Sequence, residues 1–325
     1  MGRCAVIVAA FVGIVGAIGS AQAQVYPSRP ITIIVPFAAG GPSDTITRIL
    51  GEHMRGSLGQ PIIVDNVVGA GGTIGVGRAA RAKPDGYTAV TGNWGSFVVT
   101  GAMYTLPYDL QRDFAPVSLF VTEPLLVCAR KALAAKDLRE LIEWLKANPD
   151  KATMGTSGID GPSHIAGALF QQMTATRFTL VPYRGAGPAV QDLVAGQLDF
   201  GVYGPAAVLP HARAGAIKCY AVTAPKRMTS AVDYPTVDEA GLPGFHLSVW
   251  HGVWVPQGTP NDVIAKLNSA LVAAVADATV SQRLRDIGQE IWPREQQTPE
   301  GLAAYQKAEI EKWWPIIKAA GIRAE

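Results

Sequence analysis

The stretch Ile31-Thr32-Ile33-Ile34-Val35-Pro36-Phe37-Ala38-Ala39-Gly40-Gly41-Pro42-Ser43-Asp44-Thr45-Ile46-Thr47-Arg48-Ile49-Leu50 decides the fold. Ile31 to Phe37 is almost continuously apolar, with only Thr32 polar, as in a strand covered on both faces. From Thr45 the apolar residues take helical spacing (Ile46, Ile49, Leu50, Met54, Leu58), and Gly59 stands at the end of that run. Between them lies a loop of small residues, with Ser43 or Asp44 placed to cap the helix. A strand that leads through such a loop into an amphipathic helix belongs to an α/β fold. A helix start exposes backbone N–H groups and the positive end of the helix dipole, so it attracts anions. With no bulky side chains in the way, a carboxylate can approach that backbone closely.

Two more junctions repeat the pattern. Lys151 to Gly155 runs into Gly155-Thr156-Ser157-Gly158-Ile159-Asp160-Gly161-Pro162-Ser163-His164, and Phe178 to Pro182 runs into Pro182-Tyr183-Arg184-Gly185-Ala186-Gly187-Pro188. Strand-like and helix-like runs alternate elsewhere too: Pro61 to Val64, Gly72 to Ala82, Tyr87 to Gly92, Leu138 to Ala147, Leu198 to Tyr203 and Lys218 to Thr223. Pro260 to Ala276 and Pro299 to Ala320 are helical, the second expected to kink or break at Pro315. Two long extended runs, Phe114 to Ala129 and Phe245 to Pro256, read as crossings between two domains. The expected fold class is α/β with two lobes, each a mainly parallel sheet flanked by helices. Residues 24–122 plus 248–325 would form a discontinuous first lobe and 123–247 the second. A cleft between them, near the carboxyl ends of the strands, is where open α/β sheets bind ligands.

The first 23 residues read as an export signal: Arg3, an apolar run from Cys4 to Gly19, and the small-residue cleavage site Ala21-Gln22-Ala23. That run is shorter than the ~20 residues a membrane span needs. The roughly 300 residues after it suggest two domains, because single cores stop growing near ~250 residues. The hydrophobic share of 48% supports filled cores. Net charge is +2 over the whole chain, and without Arg3 it is 27 basic against 26 acidic residues, or +1. Such a balance argues against nucleic acid as a partner. After cleavage Cys128 and Cys219 remain, both in strand-like runs. An oxidising compartment permits a disulfide, but strand cysteines are more often buried as small hydrophobes, and that is the expectation here.

Other motifs resolve to ordinary roles. Gly75-Val76-Gly77-Arg78-Ala79-Ala80 matches a dinucleotide fingerprint formally, but it does not follow a tight strand-to-helix turn, so close helix packing is expected instead. Gly155-Thr156-Ser157-Gly158-Ile159 is not a nucleophile elbow, and the neighbouring Ser163 and His164 cannot face each other on a helix start. His53, His164, His211, His246 and His251 form no recognised metal-ligand motif. Arg184 could add charge beside an anion loop, and Phe37 and Tyr183 could wall a ligand or pack in a core. Trp94, Trp250 and Trp254 near the crossings either line the cleft or pad the hinge, while Trp144, Trp313 and Trp314 are expected to pack.

Longer stretches then carry a family resemblance. They are Ile34 to Asp44, Gly69-Ala70-Gly71-Gly72, Lys83-Pro84-Asp85-Gly86-Tyr87-Thr88, Val181-Pro182-Tyr183-Arg184-Gly185, Ala221-Val222-Thr223-Ala224-Pro225-Lys226-Arg227, Tyr234 to Gly244, and Pro256-Gln257-Gly258-Thr259-Pro260. In order and spacing the chain resembles the TctC family of tripartite tricarboxylate transporter solute-binding proteins, also called Bug receptors. The resemblance implies a type II-like periplasmic binding protein, monomeric and without cofactor, metal or catalysis. It would close on a small organic carboxylate and deliver it to membrane permease subunits. It also implies a site. Phe37, Ala38, Ala39, Gly40, Gly41 and Asp44 would hold one carboxylate, largely through backbone amides and ordered waters. Thr156, Ser157, Gly158, Ser163 and His164, with Tyr183, Arg184 and Gly185, would meet it from the other lobe. Two departures stand out. Val67-Val68 replaces an Arg-Pro pair, and Tyr203-Gly204 replaces an Asp-Asn-like pair. The second would place Tyr203 on the pocket wall and favour a ligand with an apolar or aromatic body. A receptor that presents its ligand to a sensor would have the same cleft, and a periplasmic hydrolase is the remote alternative.

Overall fold

The computed structural model describes residues 26–159 and 161–323; the export signal expected over residues 1–23 lies outside the described residues. In chain order the strands are β1 (Ile31–Val35), β2 (Ile62–Asn66), β3 (Thr88–Asn93), β4 (Phe114–Pro124), β5 (Leu126–Arg130), β6 (Thr153–Thr156), β7 (Thr179–Pro182), β8 (Phe200–Tyr203), β9 (Ile217–Val222), β10 (Ser248–Pro256) and β11 (Glu290–Ile291). The helices are α1 (Pro42–Leu58), α2 (Thr73–Ala80), α3 (Thr100–Met103), α4 (Leu138–Ala147), α5 (Pro162–Thr174), α6 (Ala186–Val194), α7 (Pro205–Arg213), α8 (Asn261–Ala276), α9 (Ala278–Asp286) and α10 (Pro299–Ala319).

The strands form two sheets, a six-stranded one in the order β11-β4-β10-β3-β1-β2 and a five-stranded one in the order β7-β6-β8-β5-β9. Each keeps a parallel core, β2-β1-β3 in the first and β7-β6-β8 in the second, because its strands are joined by crossover helices. Both sheets are mixed rather than mainly parallel. The long extended runs supply antiparallel strands: β10 lies between β3 and β4, and β5 lies between β8 and β9. The chain leaves the first sheet at Pro124 and enters the second at Leu126, and after β9 it returns as β10. The fold is two-lobed.

Thr223 binds the two crossings together. It is fully buried, and its hydroxyl accepts from the Leu125 amide at 2.9 Å and donates to the Leu247 carbonyl at 2.6 Å. Its own amide donates to the Leu125 carbonyl at 2.8 Å, and the Leu247 amide returns a bond to the Thr223 carbonyl at 3.1 Å. Farther along β10, Trp250 and Trp254 anchor α10 to the first sheet: both are buried, Trp254 stacks on Phe97 at 3.7 Å, and their indole N–H groups reach Glu309 and Gln306 on α10.

Three local expectations change. Helix α1 starts at Pro42 with Gly41 as its N-cap and no side-chain cap, so neither Ser43 nor Asp44 caps it; proline at the first helical position has its φ already set. Helix α10 continues through Pro315, since Trp313 and Ile317 on either side are buried in the core and packing outweighs the lost backbone bond. Cys128 and Cys219 are not unpaired hydrophobes. They stand directly opposite each other in the β5–β9 ladder and form a disulfide that spans 91 residues of sequence.

Closing a loop of that length stabilises by roughly 4–5 kcal/mol in the chain-entropy description. Reduction, or Cys128→Ala with Cys219→Ala, is therefore expected to lower the melting temperature by several degrees in scanning calorimetry; an unchanged transition would contradict this bond's contribution. Thr223→Val, which keeps the shape but strands the Leu125 amide and Leu247 carbonyl, should cost about 1–3 kcal/mol in urea unfolding.

Candidate functional site

The segment from Pro36 to Asp44 leaves β1 at its carboxyl end and is fastened by one side chain. The carboxylate of Asp44, only 3% exposed, accepts from the Gly40 amide at 2.8 Å, from Arg48 Nε at 3.0 Å and from Asn66 Nδ2 at 3.0 Å. Asn66, at the end of β2, also donates to the Phe37 carbonyl at 3.0 Å, so β2 and α1 hold the loop between them. Burial works against the charge on Asp44, but the hydrogen bonds from Arg48, Gly40 and Asn66 outweigh it and hold the carboxyl below its usual range. From behind, Gly75 of α2 packs on Pro36: a Cβ there would fall 2.6 Å from the Val67 oxygen and 2.9 Å from Pro36 Cβ.

This geometry corrects two expectations. The Gly40 amide serves Asp44, and the Gly41 amide donates to the Ala38 carbonyl at 3.2 Å, so neither is open to a ligand. The Asp44 carboxylate is not the group that meets a ligand, because protein donors already engage both its oxygens. The donors that remain differ from those expected. Among the described residues, the amides of Ala38, Ala39, Ser43 and Asp44 meet no protein acceptor. The last two belong to the first turn of α1, where intrahelical acceptors do not exist. Beside them the Ser43 hydroxyl lies 3.0 Å from Nε2 of His251 on β10 and 3.5 Å from Nδ2 of Asn93 at the end of β3.

The second sheet offers a matching helix start. Helix α5 has Gly161 as N-cap, Pro162 first and Ser163 second, with no side-chain cap, which repeats the Gly-Pro-Ser of α1. Ser163 is buried, and among the described residues its amide meets no acceptor. Thr156, fully buried at the end of β6, places its hydroxyl 3.3 Å from His164 Nδ1, and its carbonyl accepts from the Tyr183 amide at 3.0 Å. The Ser157 hydroxyl is shut off from solvent with no hydrogen-bond partner among the described residues, tucked where a Cβ on Gly161 would lie 2.4 Å from it. Gly158 has φ 117°, a conformation that demands glycine. In the neighbouring loop Tyr183 donates to Asp192 at 2.6 Å, Arg184 is exposed and pairs with no acidic group, and Gly185 is the N-cap of α6 at φ 106°.

Tyr203 is not a pocket wall. It is 1% exposed, packs over Gly155 and Gly201, and donates to the Gly155 carbonyl at 2.8 Å, so its ring fills the core of the second sheet. Burial holds its phenol well above the ordinary range. The argument for an aromatic ligand body goes with it.

A cavity of about 180 Å³ lies where the two sheets face each other, with Phe37, Asn93 and Trp94 on one side, Gly161 and Pro162 on the other, and Val249 of β10 at the crossing. Trp94 is buried, and its indole N–H has no partner. Of the three tryptophans near the crossings, Trp94 lines the cleft, and Trp250 and Trp254 pack between β10 and α10 in the first lobe. A larger groove of about 620 Å³ between α7 and the end of α9 receives nothing from the three loops. Sequence reasoning missed Ser43, Asn93 and His251. The recurring Gly-Pro-Ser at 41–43 and 161–163 was the one available signal, and it points to the serines alone.

Asp44→Asn removes the charge that gathers Gly40, Arg48 and Asn66. Because the folded carboxyl lies below the unfolded value of about 3.9, its contribution is present above that value and is lost as pH falls through the folded one. Asp44→Asn is expected to cost about 1–3 kcal/mol at pH 7 and to converge with the unmodified protein below pH 4, measured by denaturant unfolding at stepped pH.

Comparison with known proteins fits this architecture. Residues 46–322 match the tripartite tricarboxylate transporter family receptor. BugT of Bordetella pertussis is 31% identical over 325 residues, covering 99% of each chain. Among solved structures, MatC of Rhodopseudomonas palustris with bound malate is 38% identical with a TM-score of 0.76, over 90% of this chain and 100% of that one. A second R. palustris protein, solved with adipate, is 32% identical with a TM-score of 0.79, over 92% and 99%. A chain matched along nearly its whole length, on a two-lobed fold with opposed helix starts, belongs to the tripartite tricarboxylate transporter receptor family, TctC.

Proposed function

We propose that this protein is a periplasmic receptor that captures a small organic carboxylate in the cleft and delivers it to the membrane subunits of a tripartite tricarboxylate transporter. The observation that carries the reading is the cluster of unpartnered amides on Ala38, Ala39, Ser43 and Asp44 at the start of a 17-residue helix, in a loop whose Phe37 lines a cavity that Gly161 and Pro162 of a second helix start also line. Such donors, together with the helix dipole, favour an anion. One carboxylate takes these amides. From the other lobe Gly161 and Pro162, at the start of α5, bound the cavity, and Phe37 walls it. A volume of about 180 Å³ lies below the ~300–1,000 Å³ of drug-sized pockets and suits a compact acid. The two relatives solved with malate and adipate carry the same class of ligand.

The lobes divide at the crossings, with 24–122 plus 248–325 on one side and 123–247 on the other. Closure is a hinge motion about the Thr223 junction. The protein acts as a receptor and not as an enzyme: the buried Ser43–His251 pair resembles a nucleophile and base, but His251 Nδ1 has no carboxylate to orient it. A thermal-shift screen of mono- and dicarboxylates, malate and adipate included, tests the reading. An acid at roughly 100 times its dissociation constant should add ~2.7 kcal/mol of stability. A response to sugars or metal ions with none to any acid would reject it.

A further inference from the structure

We infer that His251, which lies behind the cleft and need not touch the ligand, is a positioning residue that locks the Ser43 hydroxyl as an outward hydrogen-bond donor to the ligand carboxylate. The inference rests on the receptor reading and deepens it. Two groups fix the hydroxyl. Asn93 is oriented by its own loop: its Oδ1 accepts from the Ser96 amide at 3.1 Å, so the side that faces Ser43 at 3.5 Å is the donating Nδ2. His251 is 1% exposed, and burial lowers its pKa to about 3, so the ring is neutral and one nitrogen carries the proton. Nδ1 has no partner, while Nε2 lies 3.0 Å from Ser43 Oγ. A proton on Nδ1 would bury an N–H with no acceptor, which folded proteins rarely tolerate. A proton on Nε2 leaves only an unfilled acceptor, a lesser cost. The Nε2–H form therefore donates to Ser43.

With Nε2–H at 3.0 Å and Asn93 Nδ2 at 3.5 Å both donating to it, Ser43 Oγ has its own hydrogen left to offer. Among the described residues no acceptor meets that hydrogen. The hydroxyl thus joins the Ser43 and Asp44 amides as a donor that is already oriented before ligand arrives. It suits an ionised carboxylate, which only accepts.

The first test needs no ligand. In two-bond ¹H–¹⁵N correlation spectra at pH 7, the His251 ring should carry its proton on Nε2; a ring protonated on Nδ1 would overturn the inference. The second is a double-mutant cycle, titrating calorimetrically with whichever of malate or adipate binds more tightly. Ser43→Ala and His251→Phe should each weaken binding roughly tenfold, the double variant should be no weaker than either single one, and His251→Gln, which can still donate, should recover most of the loss. Additive losses, or tight binding by Ser43→Ala, would overturn the inference and leave the receptor reading standing. Failure of the unmodified protein to bind any acid would sink both. Should His251→Phe not fold, the spectrum, Ser43→Ala and His251→Gln still decide.

Discussion

Most of this site depends on where one buried carboxylate has gone. Asp44 draws in the Gly40 amide, the Arg48 guanidinium and the Asn66 amide, and Asn66 in turn holds the Phe37 carbonyl. An internal anion thus occupies the donors nearest the helix mouth and sets the curvature of the loop around them. The amides it does not take, at Ala38, Ala39, Ser43 and Asp44, are the ones left for an external anion. Charge and geometry act together here. A carboxylate engaged by three donors keeps its charge, and while charged it keeps the loop in the shape that presents the rest.

The fold supplies the opposing half through the same local chemistry. Glycine then proline starts α1, α5 and α7, so each of these helices begins with a pre-set φ and an uncapped first turn. In α1 and α5 a serine follows, buried in both. Two sheets bring Phe37, in the loop before α1, and Gly161 and Pro162, at the start of α5, to one cavity, and the connections between the sheets meet at a buried threonine. The two lobes also meet outside the crossings, where the Thr229 amide and hydroxyl donate to Glu290 at 2.9 Å.

Much of this was legible in the chain itself. The change from strand-like to helical spacing around residues 31–58 and the small-residue loops at 155–164 and 182–188 mark the right junctions, and the two long extended runs mark the crossings. These signals are local, carried by neighbouring residues. The rest was not legible because it depends on register and on distance. Cys128 meets Cys219 across 91 residues only because β5 and β9 align them. Tyr203 alternates into the core and not toward the cleft, a matter of which face β8 turns outward. Asp44 reaches back to Gly40 instead of out to a ligand, and His251 meets Ser43 across 208 residues of sequence. No spacing rule reports such contacts.

The most direct measurement is a crystal structure of the protein with an acid that stabilises it. A carboxylate oxygen within about 2.7–3.2 Å of at least two of the Ala38, Ala39, Ser43 and Asp44 amides, with Asp44 still bonded to Gly40, is the result this account predicts. An acid bound elsewhere, or one held through side chains while those four amides face only solvent, would contradict it.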